Sequence, residues 1–323
     1  MVSRIWVLLA VAAMMGGACS ARRGDAPGAV VVAITVDWEG AAMPVDDLDA
    51  LDELRRQLGQ VPLTHFVAAA YFVKPKPDPA AGATLARAVK PGDELAVHLH
   101  GWRSLARAAG VEPRLSPSFL TGTDQLLAFD DGDVGFDTDL DAYAIPELRA
   151  LLRTSRRLLT TVHAPVSTSF RAGGYLATPK VLQAIRAEGF AVDSSATDFR
   201  RLDDQRDGVL GQRVHAIWPG VEPTSQPWRL GGLLELPIAA IADYATVPEI
   251  TAVIEAAGAQ LRAAPGRDVF VGLAFHLETA AEFAPRLTAA IAQIRKQPAL
   301  ASQLVFVTIE AAAARLSAAA PAR

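Results

Sequence analysis

An apolar run beginning at Val30 stops at Asp37-Trp38-Glu39-Gly40, and another stops at His98-Leu99-His100-Gly101. On an extended strand residues i and i+2 share a face, so Asp37 and Glu39 project together, and so do His98 and His100. Two imidazoles and one carboxylate make a three-ligand site for a divalent metal, with positions left open for water and substrate. Only one of the two carboxylates is then needed as a ligand, which leaves the other free to take a proton. Spacing alone does not say which is which. Other apolar runs also end in polar groups: Arg171 and Tyr175 in Phe170-Arg171-Ala172-Gly173-Gly174-Tyr175, Asp193 in Asp193-Ser194-Ser195, and His276 directly after Phe275. Cys19 is the single cysteine, so a thiolate zinc site is ruled out and any metal rests on His and carboxylates.

Such residues need a scaffold that gathers several strand ends in one place. The pattern predicts strands near 29–37, 63–70, 94–98, 168–171, 190–193, 232–237, 269–275 and 303–308. Amphipathic helical stretches lie at 47–58, 80–89, 146–162, 178–188, 248–263, 280–296 and 309–318; in 146–162 a helical period puts Leu148, Leu151, Leu152, Leu158 and Leu159 on one side. Alternation of this kind predicts an α/β chain built as a parallel (β/α) barrel, whose chemistry sits at the carboxyl ends of the strands. The segment 110–142 falls outside the alternation. Its Asp130, Asp131, Asp133, Asp137, Asp139 and Asp141 lack the spacing of a calcium loop, and read as a solvated acidic loop near the rim of the site.

The chain has 323 residues, 51% hydrophobic and 20% charged, the balance of a globular enzyme rather than a disordered chain. Lys and Arg total 31 against 35 for Asp and Glu, a formal charge of -4, so no basic field exists for a nucleic-acid backbone. Residues 1–21 carry one early positive charge, an apolar run from Ile5 to Met15 and then small residues, the pattern of a secretory signal. Cys19 stands where a lipoprotein signal places its acylated cysteine, although Gly16 occupies a position where an aliphatic residue is usual. The expectation is export across the inner membrane, to the periplasm or to a membrane held through a lipid at Cys19, with residues 22–323 forming one barrel domain.

From about residue 30 to 310 five short motifs, in order, resemble those of the NodB-homology polysaccharide deacetylases, carbohydrate esterase family four. The motifs are Ile34 to Gly40, Glu94 to His100, Phe170 to Tyr175, Val192 to Ser195 and Phe275 to Glu278. The resemblance implies a distorted (β/α) barrel with about seven parallel strands and the hydrolytic removal of N-acetyl groups from a polysaccharide. It further implies that Glu39, His98 and His100 hold a divalent metal (zinc, or cobalt or nickel) and that Asp37 is the base, braced by Arg171. The backbone near Tyr175 then supports the oxyanion, His276 protonates the leaving amine, and Asp193 orients that proton transfer from behind. Three departures mark a divergent branch. Trp38 separates two acids that are usually adjacent, the histidines stand two apart instead of four, and Arg171 and Tyr175 are one residue further apart than usual.

Two other readings carry the same residues differently. An amidohydrolase-type barrel also binds metal through an HxH pair, but there the pair ends the first strand rather than the third. A carbohydrate-binding lipoprotein without turnover would keep the barrel and lose the chemistry. His65, His163 and His215 read as core histidines, while Trp38, Trp102 and Tyr175 read either as faces for a sugar ring or as packing.

Overall fold

The computed structural model describes residues 28–163, 165–198 and 208–321. The leader 1–21 and Cys19 lie outside the described residues.

The chain begins with β1 (Val30–Trp38), α1 (Val45–Leu58), β2 (Leu63–Ala68), α2 (Ala81–Ala88), β3 (Glu94–Leu99) and α3 (Arg103–Ala108). After the 110–142 segment come α4 (Ile145–Val162), β4 (Ser169–Ala172), α5 (Pro179–Ala187), β5 (Val192–Asp193), α6 (Gly208–Ile217), β6 (Trp228–Leu230), β7 (Leu233–Glu235) and β8 (Ile238–Ile241). The chain closes with α7 (Val247–Ala263), β9 (Val269–His276), α8 (Ala280–Arg295), α9 (Pro298–Ala301), β10 (Leu304–Phe306) and α10 (Ile309–Leu316). The strands form one sheet in the order β6-β7-β5-β4-β3-β2-β1-β9-β8, with β10 also on β1. Every pairing is parallel except β6 with β7. Beyond β5, Thr197 makes a parallel bridge to Ile238 of β8, so the sheet curls back toward its far edge. With β7 and β8 taken as one strand interrupted at Pro237, and with the short β10 set aside as an addition to the edge of β1, the curled wall has seven parallel strands among the described residues, as in a distorted barrel.

All nine residues of β1 are buried. A parallel strand covered on both faces reads as a near-continuous apolar run, which is why Val30 to Val36 lacks alternation. On the outer layer, Leu148, Leu151, Leu152 and Leu159 of α4 are buried against the sheet, and Leu158 is partly so. Glu147 accepts the Ala144 N–H at 2.7 Å and caps the start of that helix.

The expected elements differ from the structure in several places. The strand expected at 232–237 breaks at Pro237, which has no N–H for a ladder, and a second strand, β8, follows at once. The strand expected at 190–193 shrinks to Val192–Asp193, and α3, α6, β6 and α9 were not anticipated. Most important, 110–142 is not a solvated acidic loop. Asp133, Asp137 and Asp139 are buried, and each anchors the segment through hydrogen bonds. Asp133 accepts from Ser104 Oγ (2.6 Å), Asp137 from Ser118 Oγ (2.5 Å) and the Leu127 N–H (3.1 Å), and Asp139 from the Asp141 N–H (2.9 Å) while pairing with Arg213 of α6. The placement near the rim stands, because Phe119, Leu127 and Phe136 of this segment line the cavity at the strand ends.

Candidate active site

Strand register brings the candidate residues level. Asp37 of β1 is opposite His276 of β9, His98 of β3 is opposite Arg171 of β4, and Phe170 is opposite Asp193 of β5. The i, i+2 argument holds in space. His98 Nε2 and His100 Nε2 lie 3.1 Å apart, and the Glu39 carboxylate stands 3.4 Å from the first and 2.5 Å from the second. His98 Nδ1 donates to the Arg171 carbonyl (3.1 Å) and His100 Nδ1 to the Phe136 carbonyl (2.7 Å). A carbonyl only accepts, so each Nδ1 carries its proton, and in the neutral rings both Nε2 lone pairs converge on the carboxylate with no hydrogen between them. Three donor atoms with that much repulsion fit a divalent cation, and the two-imidazole, one-carboxylate set suits zinc. The carbonyls that fix the tautomers are the outer partners metal-ligating histidines usually have.

Around His100 the packing is tight. Phe136 stacks on its ring at 4.4 Å and 11°. Gly173 lies so close that a Cβ there would sit 2.6 Å from the ring, so only glycine leaves room for the histidine.

Asp37 is buried beside the metal group, with an oxygen within 4.8 Å of ligand atoms on Glu39 and His276. Arg171, itself fully buried, grips one Asp37 oxygen at 2.5 Å, and its remaining N–H groups go to Thr35 Oγ1 (2.8 Å), the Ser194 carbonyl (2.7 Å) and Ser194 Oγ (2.9 Å). The second oxygen, Oδ2, has no hydrogen-bond partner among the described residues. A carboxylate braced at one oxygen and open at the other is equipped to accept a proton.

His276 Nδ1 lies 3.0 Å from Asp243 Oδ1, and Nε2 faces Glu39 Oε1 (3.3 Å) and the Tyr175 hydroxyl (3.2 Å). Burial opposes its charge, but the Asp243, Glu39 and Asp37 carboxylates outweigh burial and push its pKa up to about 10. An imidazolium oriented by a carboxylate can give a proton. The orienting acid is therefore Asp243, which also accepts from Thr279 Oγ1 at 2.5 Å. Asp193, expected in that role, is fully buried one layer away and accepts instead from Ser195 Oγ at 2.6 Å. Sequence reading missed Asp243 because the strand expected at 232–237 stopped short of Ile238 to Ile241; the Asp243-Tyr244 pair after a short apolar strand was the available signal. Glu278 was quoted only as part of a motif. Its carboxyl accepts the Glu39 N–H (3.1 Å) and the Tyr71 hydroxyl (2.5 Å), and burial together with the Glu39 charge raises its pKa to about 7.

The indoles do not serve as sugar faces. Trp38 and Trp102 are fully buried; Trp102 Nε1 donates to the Glu39 carbonyl at 2.9 Å under the Lys74 ammonium, which sits 3.2 Å from its ring centroid. Tyr175, at φ 64°, does reach the cavity with its hydroxyl. His65 is a core residue, accepting from Trp38 Nε1 (3.1 Å) and standing 3.2 Å from Asp93. His163 is half-buried at the end of α4, and His215 is exposed on α6, so neither belongs to the core as expected. The cavity above these groups has about 800 Å³, the size of a small-molecule site. Its floor is polar and its walls include Phe119, Leu127, Phe136 and Phe283.

No family model matches the chain, and no curated protein does. Among solved structures it is similar to the "putative polysaccharide deacetylase" from Mycobacterium smegmatis, at 16% identity and a TM-score of 0.53 over 91% of this chain and 94% of that one. It is also similar to the Puue allantoinase, at 12% identity and a TM-score of 0.51 over 90% and 91% of the two chains. At these identities the likeness is one of fold, and the fold is the one that the motif resemblance implied.

Proposed function

We propose that the chain is a metal-dependent hydrolase that removes N-acetyl groups from an N-acetylated polysaccharide at or beyond the cell surface. The observation that carries this reading is the convergence of the His98 and His100 lone pairs on the Glu39 carboxylate, beside an Asp37 braced at one oxygen only. The five motifs and the likeness to a "putative polysaccharide deacetylase" support the amide substrate. Glu39, His98 and His100 would hold the ion, zinc by its donor set or else cobalt or nickel, which supplies a Lewis acid for the acetyl carbonyl and lowers the pKa of water. Asp37 takes the proton of the attacking water at Oδ2, while Arg171 keeps it aimed through a charge-assisted bond. Backbone N–H groups near Tyr175 face the developing oxyanion. His276, steadied by Asp243, hands its Nε2 proton to the departing amine. No serine or cysteine nucleophile is required.

The test is acetate release from an N-acetylglucosamine oligomer by the zinc-loaded full chain, abolished by chelation and restored by the ion. A metal-loaded chain that releases no acetate from any N-acetylated sugar would overturn the reading. The apolar cavity walls and the likeness to an allantoinase favour a second reading, an amidase for a small cyclic amide. Hydrolysis of allantoin without acetate release assigns that activity, and carbohydrate binding without hydrolysis assigns the binding protein. The leader supports export with lipidation at Cys19; mass spectrometry of the mature N-terminus should find a diacylated Cys19, and an intact Met1 in the cytosol would contradict it.

A further inference from the structure

Behind Arg171 lies a pair of acids that the chemistry above does not use. Asp193 of β5 and Glu235 of β7 are paired in register, and both are fully buried. Each has one oxygen satisfied by a neighbouring donor. Ser195 Oγ donates to Asp193 Oδ1 at 2.6 Å, and the Ala196 N–H donates to Glu235 Oε1 at 2.9 Å. The other two oxygens, Asp193 Oδ2 and Glu235 Oε2, are buried with no hydrogen-bond partner among the described residues, on side chains that the register sets beside each other. Carboxylates only accept, so these two oxygens can satisfy each other only if one of the two acids carries a proton.

We propose that Asp193 and Glu235 hold one proton between them, and that this shared proton locks the Ser194–Ser195 turn on which Arg171 rests, making both acids positioning residues for Asp37. The linkage is short. Ser195 Oγ also accepts the Ala172 N–H (3.0 Å), and Ser194 gives Arg171 both its carbonyl and its hydroxyl while donating that hydroxyl to the Leu236 carbonyl (2.9 Å). The charges facing the pair are consistent. Burial raises Asp193 to about 6, with Arg171 of β4 as the opposing cation, and burial together with the Asp193 charge raises Glu235 well above the carboxylate range. The positioning role rests on the proposed hydrolysis; the shared proton does not.

Infrared spectroscopy of the full chain at neutral pH should show a protonated-carboxyl component that disappears in Glu235→Gln and in Asp193→Asn. In either single variant an amide N–H takes the place of the shared proton, with every other bond kept, so kcat should fall by no more than about threefold. In Asp193→Asn/Glu235→Gln two N–H groups face each other, and kcat should fall by roughly tenfold or more beyond the product of the singles, with KM and metal content held. Absence of that component from the parent chain would overturn the shared proton. A double variant no worse than the product of the singles would overturn the positioning role. The infrared result needs no substrate, so it stands or falls apart from the deacetylase reading.

Discussion

His98 and His100 each give their Nδ1 proton to a backbone carbonyl, and that choice of tautomer turns an ordinary pair of rings into two inward lone pairs. The same economy governs His276, whose charge depends on Asp243 more than on its own strand. Asp243→Asn should therefore keep the metal but lower kcat, and His276→Ala should slow turnover by roughly a hundred- to ten-thousand-fold with the ion still bound. Paired metal analysis and steady-state kinetics check both; a metal-free His276→Ala would place that histidine among the ligands. Gly173→Ala is a steric test of the ligand assignment, since its Cβ meets the His100 ring at 2.6 Å. Metal affinity should fall about ten- to a hundred-fold, read by zinc titration. Asp37, Glu39, His98 and His100 were legible in the sequence because a period of two dictates which side chains share a face. Glu235 was not, because nothing local in Leu234-Glu235-Leu236 reveals which strand lies opposite, and Asp243 was missed because the short strand before it was not recognised.

At the scale of elements, the strands that end in polar residues were readable because a strand buried on both faces is apolar throughout. The 110–142 segment was not, because its order comes from side chains pairing with the backbone. Asp133, Asp137 and Asp139 look solvent-facing by composition, and only the fold shows that Asp137 and Asp139 satisfy hydroxyl or N–H groups inside the segment while Asp133 ties it to Ser104 of α3. This segment supplies Phe136, whose ring stacks on His100 and whose carbonyl sets its tautomer. Phe136→Ala should lower metal affinity by about ten- to a hundred-fold in a chain that still folds, measured by zinc titration beside circular dichroism. Unchanged affinity would show that the segment merely borders the site.

Across the whole molecule, stability and function draw on different buried charges. Arg55 and Asp93 pair at 2.6 Å with both side chains 2% exposed, and His65 joins them. Burial opposes the Asp93 charge, but His65 and the Leu63 and Lys90 N–H groups outweigh it and hold the carboxyl below its usual value. Its contribution is present above the unfolded pKa of about 3.9 and is lost as pH falls through the folded one. Burial pushes His65 below its usual value despite Asp93, so the unfolded chain takes up that proton first. The contribution of this cluster should begin to fall below about pH 6.5 and drop further below about 4, as followed by thermal melts of the parent against Asp93→Asn across pH. Asp93→Asn strands the Arg55 charge and should cost about 3–5 kcal/mol while leaving the site chemistry intact. The central claim is that Glu39, not Asp37, holds the metal on which hydrolysis depends. Metal stoichiometry measured beside acetate release in Asp37→Asn and Glu39→Gln tests it most directly. The account predicts a metal-replete Asp37→Asn whose turnover falls by about two to four orders of magnitude, and a metal-poor Glu39→Gln partly restored by excess zinc. A metal-free Asp37→Asn beside a metal-replete Glu39→Gln would contradict it.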